Sequence, residues 1–249
     1  MSVKQKLYKI LDGFENLILK NHACLACRRE IPDGTKFSLC KNCLDNLEEI
    51  KGKMCEKCGE ELQGDNKFCD TCKSVEYNFD KSRSFAKYEE VASKIVKRFK
   101  YNGKLYYGEY IAQLMSTKDE CFENIDMIVF VPIGDKRKRE RGFNQAEVIA
   151  ENLSKIKNLP FCDCLEKVGN EKHQAGLSKN ERQKNLSGTI KLKDEAKKEI
   201  KGKNVLIIDD VFTTGATLSE CAKILKTAKP KSVFCYTFAK TVLNSTNYS

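Results

Sequence analysis

The chain has 249 residues, 45 lysines and arginines against 35 aspartates and glutamates, a formal net charge of +10 and 41% hydrophobic residues. That apolar fraction is enough for a packed core and excludes wholesale disorder, and the length fits one medium domain or a small module followed by a larger one. No run approaches the ~18 consecutive apolar residues of a membrane helix, and the opening MSVKQKLYKILDGFENLILK is broken by Lys, Asp and Glu, so we expect no export signal, no membrane insertion and a cytoplasmic location.

The first segment is organised by its cysteines. Of the 13 in the chain, eight lie between Cys24 and Cys72, in four CxxC pairs: Cys24/Cys27, Cys40/Cys43, Cys55/Cys58 and Cys69/Cys72. Twelve residues separate the first two pairs and ten the last two. A CxxC turn places two thiolates on one side of a metal, and two such turns complete a tetrahedron. Disulfides are the rival reading, disfavoured without an export signal. A thioredoxin-like redox role needs one CxxC beside a strand–helix unit, not four in series. Two structural zinc sites are therefore expected over residues 20–76. The simplest assignment is sequential, with Cys24, Cys27, Cys40 and Cys43 on one ion and Cys55, Cys58, Cys69 and Cys72 on the other. Spacing leaves a cross-braced pairing open, and His22 is read as a bystander. The segment is poor in large apolar residues, so metal has to stand in for a core. Cys121, Cys162, Cys164, Cys221 and Cys235 show no such pairing and read as small core or surface residues.

From residue 79 to 243 strands and helices alternate. A strand is expected over 79–88, then a helix over 89–100 with Val91, Ile95 and Phe99 at helical spacing. Tyr101-Asn102-Gly103 breaks it, and a second helix runs through Ile111, Leu114 and Met115. Asp126–Val131, ended by Pro132, suits a buried strand. A basic loop, IGDKRKRERGFN, precedes a helix over 144–157 with Ala146, Ile149, Ala150 and Leu153 on one face. Further strands are expected at 164–169 and 189–192, separated by a long polar loop, 170–188, of the kind that is usually functional or disordered. After a Lys/Glu-rich connector come a strand at 205–209, a helix at 216–228 carrying Leu218, Cys221, Ala222 and Leu225, and a last strand at 232–238. This alternation implies an α/β fold, a parallel sheet covered by helices on both faces.

The chemistry is concentrated in Val205–Thr217, VLIIDDVFTTGAT. A buried strand ends on Asp209 and Asp210, and Thr213-Thr214-Gly215-Ala216-Thr217 opens a helix. Ligands of parallel sheets bind beyond the carboxyl ends of the strands. Backbone N–H groups at a helix start, with Thr hydroxyls, form a phosphate cradle. Carboxylates beside such a cradle repel phosphate unless they serve sugar hydroxyls or a divalent metal. The string therefore describes a sugar-phosphate pocket. Opposite it, five of the six residues 136–141 are basic, which suits neutralisation of a diphosphate.

This string resembles the signature by which type I phosphoribosyltransferases bind phosphoribosyl pyrophosphate (PRPP). Val131-Pro132-Ile133, Lys136–Arg139, Arg141-Gly142-Phe143-Asn144-Gln145 and the later His173-Gln174, Leu177-Ser178, Glu181-Arg182, Asn185 and Gly188, behind a Cys-rich module, closely resemble the ComF family of competence-associated phosphoribosyltransferase-like proteins. The likeness spans roughly residues 20–240, and the Phe130-Val131-Pro132-Ile133 string, where family members more often show Pro-Val-Pro-Leu, is a small departure.

The resemblance implies a type I phosphoribosyltransferase-like sheet behind a double zinc ribbon. Asp209 and Asp210 would bind the ribose hydroxyls, and Val211, Phe212, Thr213, Thr214, Gly215, Ala216 and Thr217 would form the 5′-phosphate loop. Pro132, Ile133, Gly134, Asp135 and Lys136 would form the pyrophosphate loop. Arg137, Arg141, Gln145, Gln174 and Arg182 would supply polar groups from the basic and flexible loops, while His173 reads as a surface residue. Mg²⁺ would accompany PRPP. Three functions follow as expectations. The first is phosphoribosyl transfer to an unidentified acceptor in natural competence and DNA uptake. The second is a PRPP-regulated accessory factor that binds single-stranded DNA. The third is a zinc module docking on a helicase-like competence protein.

Overall fold

The computed structural model describes residues 23–32, 35–101, 104–168 and 188–242. The first part is one small pattern used twice. In each copy the first CxxC makes a tight turn: Arg28 N–H donates to Cys24 O and Cys24 N–H to Arg29 O, and in the same way Gly59 donates to Cys55 and Cys55 to Glu60. The residue after the turn takes a left-handed backbone, φ 67° at Arg28 and φ 69° at Gly59. Each turn is closed by an antiparallel bridge, Ala23 with Glu30 and Met54 with Glu61. The second CxxC of each copy opens a short helix, α1 (Lys41–Asp45) behind Cys40 and α2 (Asp70–Ser74) behind Cys69.

The larger part is built on β1 (Lys81–Lys87), β2 (Met127–Phe130), β5 (Asn204–Phe212) and β6 (Ser232–Lys240), all parallel, in the order β1-β6-β5-β2. Neighbouring residues of a strand point to opposite faces. All four residues of β2 and Val205–Ile208 of β5 are buried, so both faces of the sheet centre are covered. The covering helices are α3 (Glu90–Tyr101), α4 (Tyr106–Met115), α6 (Gln145–Lys157) and α8 (Ala216–Lys226). Their apolar stripes fall where the periodicity places them: Ala146, Ile149, Ala150 and Leu153 on α6, and Leu218, Cys221, Ala222 and Leu225 on α8, are all buried. Cys164 and Cys235 are buried with them, and Cys121 and Cys162 partly so. β3 (Leu165–Lys167) and β4 (Ile190–Leu192) form a separate antiparallel pair, and Pro160–Cys162 lies parallel beside β2 through one bridge, Phe161 with Ile128.

Two expectations need correction. The basic stretch after β2 is not a loop: Asp135–Arg141 is a helix, α5, bounded by extended Gly134 and left-handed Gly142 at φ 81°. The connector before β5 also folds, with α7 at Lys197–Ile200. α5 presents no apolar face, so periodicity carries no trace of it. Acidic Asp135 in its first turn and basic Lys138, Arg139 and Arg141 in its last complement the helix dipole instead.

The repeated cysteine module packs along the outer side of β1. Ile50 N–H donates to Phe85 O at 3.0 Å, Lys87 N–H to Glu48 O at 2.8 Å and Ser82 N–H to Lys57 O at 2.7 Å. Gly59 sits so close that a Cβ there would stand 2.8 Å from Ser82 O. Arg83 Nη1 reaches Cys55 O at 3.2 Å, and Lys87 pairs with Glu61 at 2.8 Å. Among the described residues no helix is long and apolar enough to cross a membrane.

Candidate functional site

The cysteine sulfurs gather in the sequential sets, Cys24, Cys27, Cys40 and Cys43, then Cys55, Cys58, Cys69 and Cys72, with the ligand atoms of each set within 4.8 Å of one another. Sulfurs bonded at ~2.3 Å to a tetrahedral metal stand about 3.8 Å apart. Cys27 and Cys40 Sγ are 3.7 Å apart, and Cys58 and Cys69 Sγ 3.6 Å. That spacing and an all-thiol donor set fit zinc, and the grouping removes the cross-braced alternative. Four thiolates fill the coordination shell, so both sites are structural. Within each set the thiols shift in opposite directions: burial raises Cys43 and pushes Cys69 up to about 11, and the hydrogen bond to Cys58 raises Cys72, while one thiol of each set is lowered. A hydrogen bond from Cys72 and, against burial, the nearby Lys240 charge bring Cys58 down to about 5. At Cys24 burial is outweighed by backbone N–H donors, lowering the thiol to about 7.

The second candidate site lies at the carboxyl ends of β2 and β5, which are neighbours in the sheet. β5 runs past the carboxylates: Asp209 faces Thr237 of β6, and Val211 and Phe212 are in register with Ala239 and Lys240. Asp209 and Asp210 thus stand on rigid strand, not on a loop. Asp209 Oδ1 accepts from Asp210 N–H at 2.8 Å, and Asp210 Oδ2 lies 2.9 Å from Lys100 Nζ on the last turn of α3. Burial, then the Asp210 charge, pushes the Asp209 carboxyl up to about 7, against the opposing pull of that N–H, Lys100 and Arg137.

A raised carboxyl pKa gives stability a definite pH slope. The unfolded chain loses this proton near pH ~4, while the folded protein keeps it to about 7. Between those values the folded state binds more protons, so stability falls as pH rises and levels off above the window. In zinc-loaded protein without ligand, the urea midpoint is expected to fall from pH 5.5 to 7.5 more steeply than in Asp209→Asn. Parallel pH courses for the two proteins would refute the shift.

Thr213, Thr214 and Gly215 connect β5 to α8. Gly215 has φ 73°, and a Cβ there would meet the Phe212 ring at 2.6 Å and the Tyr77 ring at 2.9 Å, so only glycine makes this turn. Thr214 Oγ1 accepts from Ala216 N–H at 3.4 Å. Thr213 is exposed, and Thr214, Ala216 and Thr217 are partly so. The turn is held from outside by the segment that follows the second cysteine set. Tyr77 Oη donates to Thr214 O at 2.9 Å, and Ser219 Oγ in the first turn of α8 accepts from Asn78 N–H at 2.9 Å. Tyr77 stacks on Phe79, and both meet Phe212 edge-on. Lys240, 4% exposed, caps this cluster, with Nζ 3.7 Å from the Phe212 ring centroid and 3.3 Å from Glu60 of the second ribbon.

At the end of the neighbouring strand, Pro132, Ile133 and Gly134 lead from β2 into α5, where Asp135 and Lys136 are exposed and Arg137 and Arg141 partly buried. Val131 N–H donates to Ile208 O, and Asn144 fixes the return of the chain: its amide donates to Val131 O at 2.9 Å and its Oδ1 caps α6 at Ala146 N–H. Arg141 donates to Gln145 Oε1 at 3.0 Å, and the buried Gln145 Nε2 has no partner among the described residues. Gln174 and Arg182 lie outside the described residues, as do His22 and His173. Lys100, Tyr77 and Lys240 are the side chains that sequence reasoning missed. Their periodic or solvent-facing settings give no signal, and only folding carries them to β5.

Two family models match the chain: a phosphoribosyl transferase domain over residues 116–243 and a double zinc ribbon domain over residues 16–73. Competence protein ComFC of Bacillus subtilis is 31% identical over 214 residues, covering 81% of this chain and 84% of its own. Competence protein F of Haemophilus influenzae is 29% identical over 213 residues, covering 83% and 91%. DNA utilization protein YhgH of Escherichia coli is 23% identical over 209 residues, covering 81% and 89%. With its zinc ribbons, parallel sheet and these relatives, the chain belongs to the ComF family of competence-associated proteins, a phosphoribosyltransferase-type α/β fold preceded by a double zinc ribbon.

Proposed function

We propose that the chain binds PRPP at the carboxyl ends of β2 and β5 and transfers its phosphoribosyl group to an acceptor, in a cytoplasmic role serving DNA uptake. One observation carries the reading: the Asp209–Asp210 pair, the glycine turn opening α8 and the basic helix α5 converge on one end of the sheet. Each matches a different part of the ligand. The turn with its Thr hydroxyls and the N–H groups at the start of α8 suits the 5′-phosphate. Asp209 and Asp210 suit the ribose hydroxyls, and Gly134, Lys136 and Arg137 suit the diphosphate. The boundaries near residues 76 and 79 separate the module that braces this site from the domain that forms it. The names of the relatives, two competence proteins and a DNA utilization protein, support the cellular context.

In the transfer, the bond from C1 of the ribose to the diphosphate oxygen breaks, and its electron pair leaves with pyrophosphate. A lone pair of the acceptor forms the new bond at C1, and the acceptor's proton passes to the departing pyrophosphate. The two carboxylates face the positive charge that develops on the ring, and the cations of α5 face the negative charge on the leaving group. Mg²⁺, for which Asp209 and Asp210 offer hard oxygen donors, supplies further neutralisation of the diphosphate when it is bound. Calorimetric titration of PRPP with Mg²⁺ into zinc-loaded full-length protein is expected to give micromolar binding, about −8 kcal/mol. Absence of heat and of competition by pyrophosphate would overturn the reading.

A further inference from the structure

Lys100 forms a sheltered ion pair with Asp210 at the edge of the proposed site. Its Nζ is 2.9 Å from Asp210 Oδ2, with the two side chains only 23% and 11% exposed. Exposed pairs contribute little, but this one is sheltered and lies where a polyanion has to be received. The backbone behind it is fixed: the fully buried Phe99 packs on Phe143, centroids 5.3 Å apart, and on Tyr107 at 6.4 Å. Phe143 belongs to the turn between α5 and α6, so the end of α3 and the basic helix share one aromatic joint.

In PRPP the diphosphate leaves from the carbon next to the one bearing the 2-hydroxyl. A carboxylate that accepts from the ribose hydroxyls therefore places the leaving group within reach of a cation 2.9 Å away from it. We propose that Lys100 is a substrate-binding residue: its ammonium partners Asp210 in the ligand-free protein and passes to the diphosphate oxygens once the ribose hydroxyls take the carboxylate. This rests on the PRPP reading above. The exchange replaces one charge-assisted hydrogen bond by another, so neither charge is left sheltered and unpaired in either state. A lysine suits the exchange, because its point charge rides on a flexible four-carbon stem, whereas the fork of an arginine favours staying on the carboxylate.

The test compares wild type, Lys100→Met, Lys100→Gln and Lys100→Arg as zinc-loaded full-length proteins. Calorimetry measures PRPP, pyrophosphate and ribose 5-phosphate, each with Mg²⁺. Loss of the charge in Met and Gln is expected to weaken PRPP and pyrophosphate by about tenfold or more, with each factor of ten worth about 1.4 kcal/mol, while ribose 5-phosphate changes less than about twofold. Arg should recover part of the loss. Gln keeps a donor for Asp210, so it decides the matter if Met fails to fold. Unchanged or tighter PRPP binding without the charge would mean that Lys100 only guards Asp210, and equal weakening of all three ligands would mean that it only positions the carboxylates. Either overturns the proposal while the PRPP reading stands. A wild type that binds no PRPP overturns that reading, and the Lys100 proposal with it.

Discussion

Removal of zinc from the intact protein is expected to unfold the two ribbons while the parallel sheet keeps its structure. The ribbons have few large apolar residues of their own. Leu25, Ile31, Leu39, Leu47 and Ile50 are their buried leucines and isoleucines. Metal binding of ~10–16 kcal/mol per site in zinc-finger peptides is the energy that replaces a core. After chelation, with loss of metal verified by elemental analysis, hydrogen exchange should accelerate by orders of magnitude over residues 23–75. It should change little in β5 and β6. The effect should reach further at one point. Tyr77 and Glu60 brace the turn at Thr214 and the Phe212–Lys240 contact from the ribbon side, so PRPP affinity is expected to drop with Asp209 and Asp210 untouched. Cys55→Ser should reproduce the local loss. Unaltered exchange in verified apo-protein would refute a structural role for the metal.

The double substitution Asp209→Asn with Asp210→Asn is expected to abolish measurable PRPP binding in a folded protein. Hydrogen bonds to a charged group are worth about 1.5–3 kcal/mol each, so losing two weakens binding by roughly a hundredfold or more. The fold should survive, because the substitution relieves two adjacent carboxylates of mutual repulsion, although Lys100 loses its partner. The melting temperature should move by only a few degrees, and hydrogen exchange in β5 should match wild type. Retention of PRPP affinity in this variant would remove Asp209 and Asp210 from the site.

Much of this was legible from residue order, for physical reasons that differ by element. β2, β5 and β6 announce themselves as short apolar runs because a strand buried on both faces has no polar alternation. α6 and α8 do so by spacing, and the ribbons by cysteine pairs whose geometry a metal demands. α5 was hidden because a helix with no apolar face carries no hydrophobic period, and only its bounding glycines and end charges mark it. The end of β5 was misplaced because Asp209-Asp210 reads as a turn, whereas pairing of Val211 and Phe212 with Ala239 and Lys240 continues the strand. Lys100 on Asp210, Tyr77 on Thr214 and Lys240 on Phe212 join residues far apart in the chain. The order β1-β6-β5-β2 creates those meetings, and local pattern does not encode it.

The three backbone hydrogen bonds between the ribbon module and β1 also bear on solubility. β1 ends the sheet, and an edge strand with bare N–H and C=O groups is a template on which a second chain can add. Here the ribbon segments around Glu48–Ile50 and Lys57 occupy that edge. A zinc-starved molecule therefore exposes a sticky border on an otherwise folded sheet, and metal supply guards against self-association as well as holding the ribbons in shape.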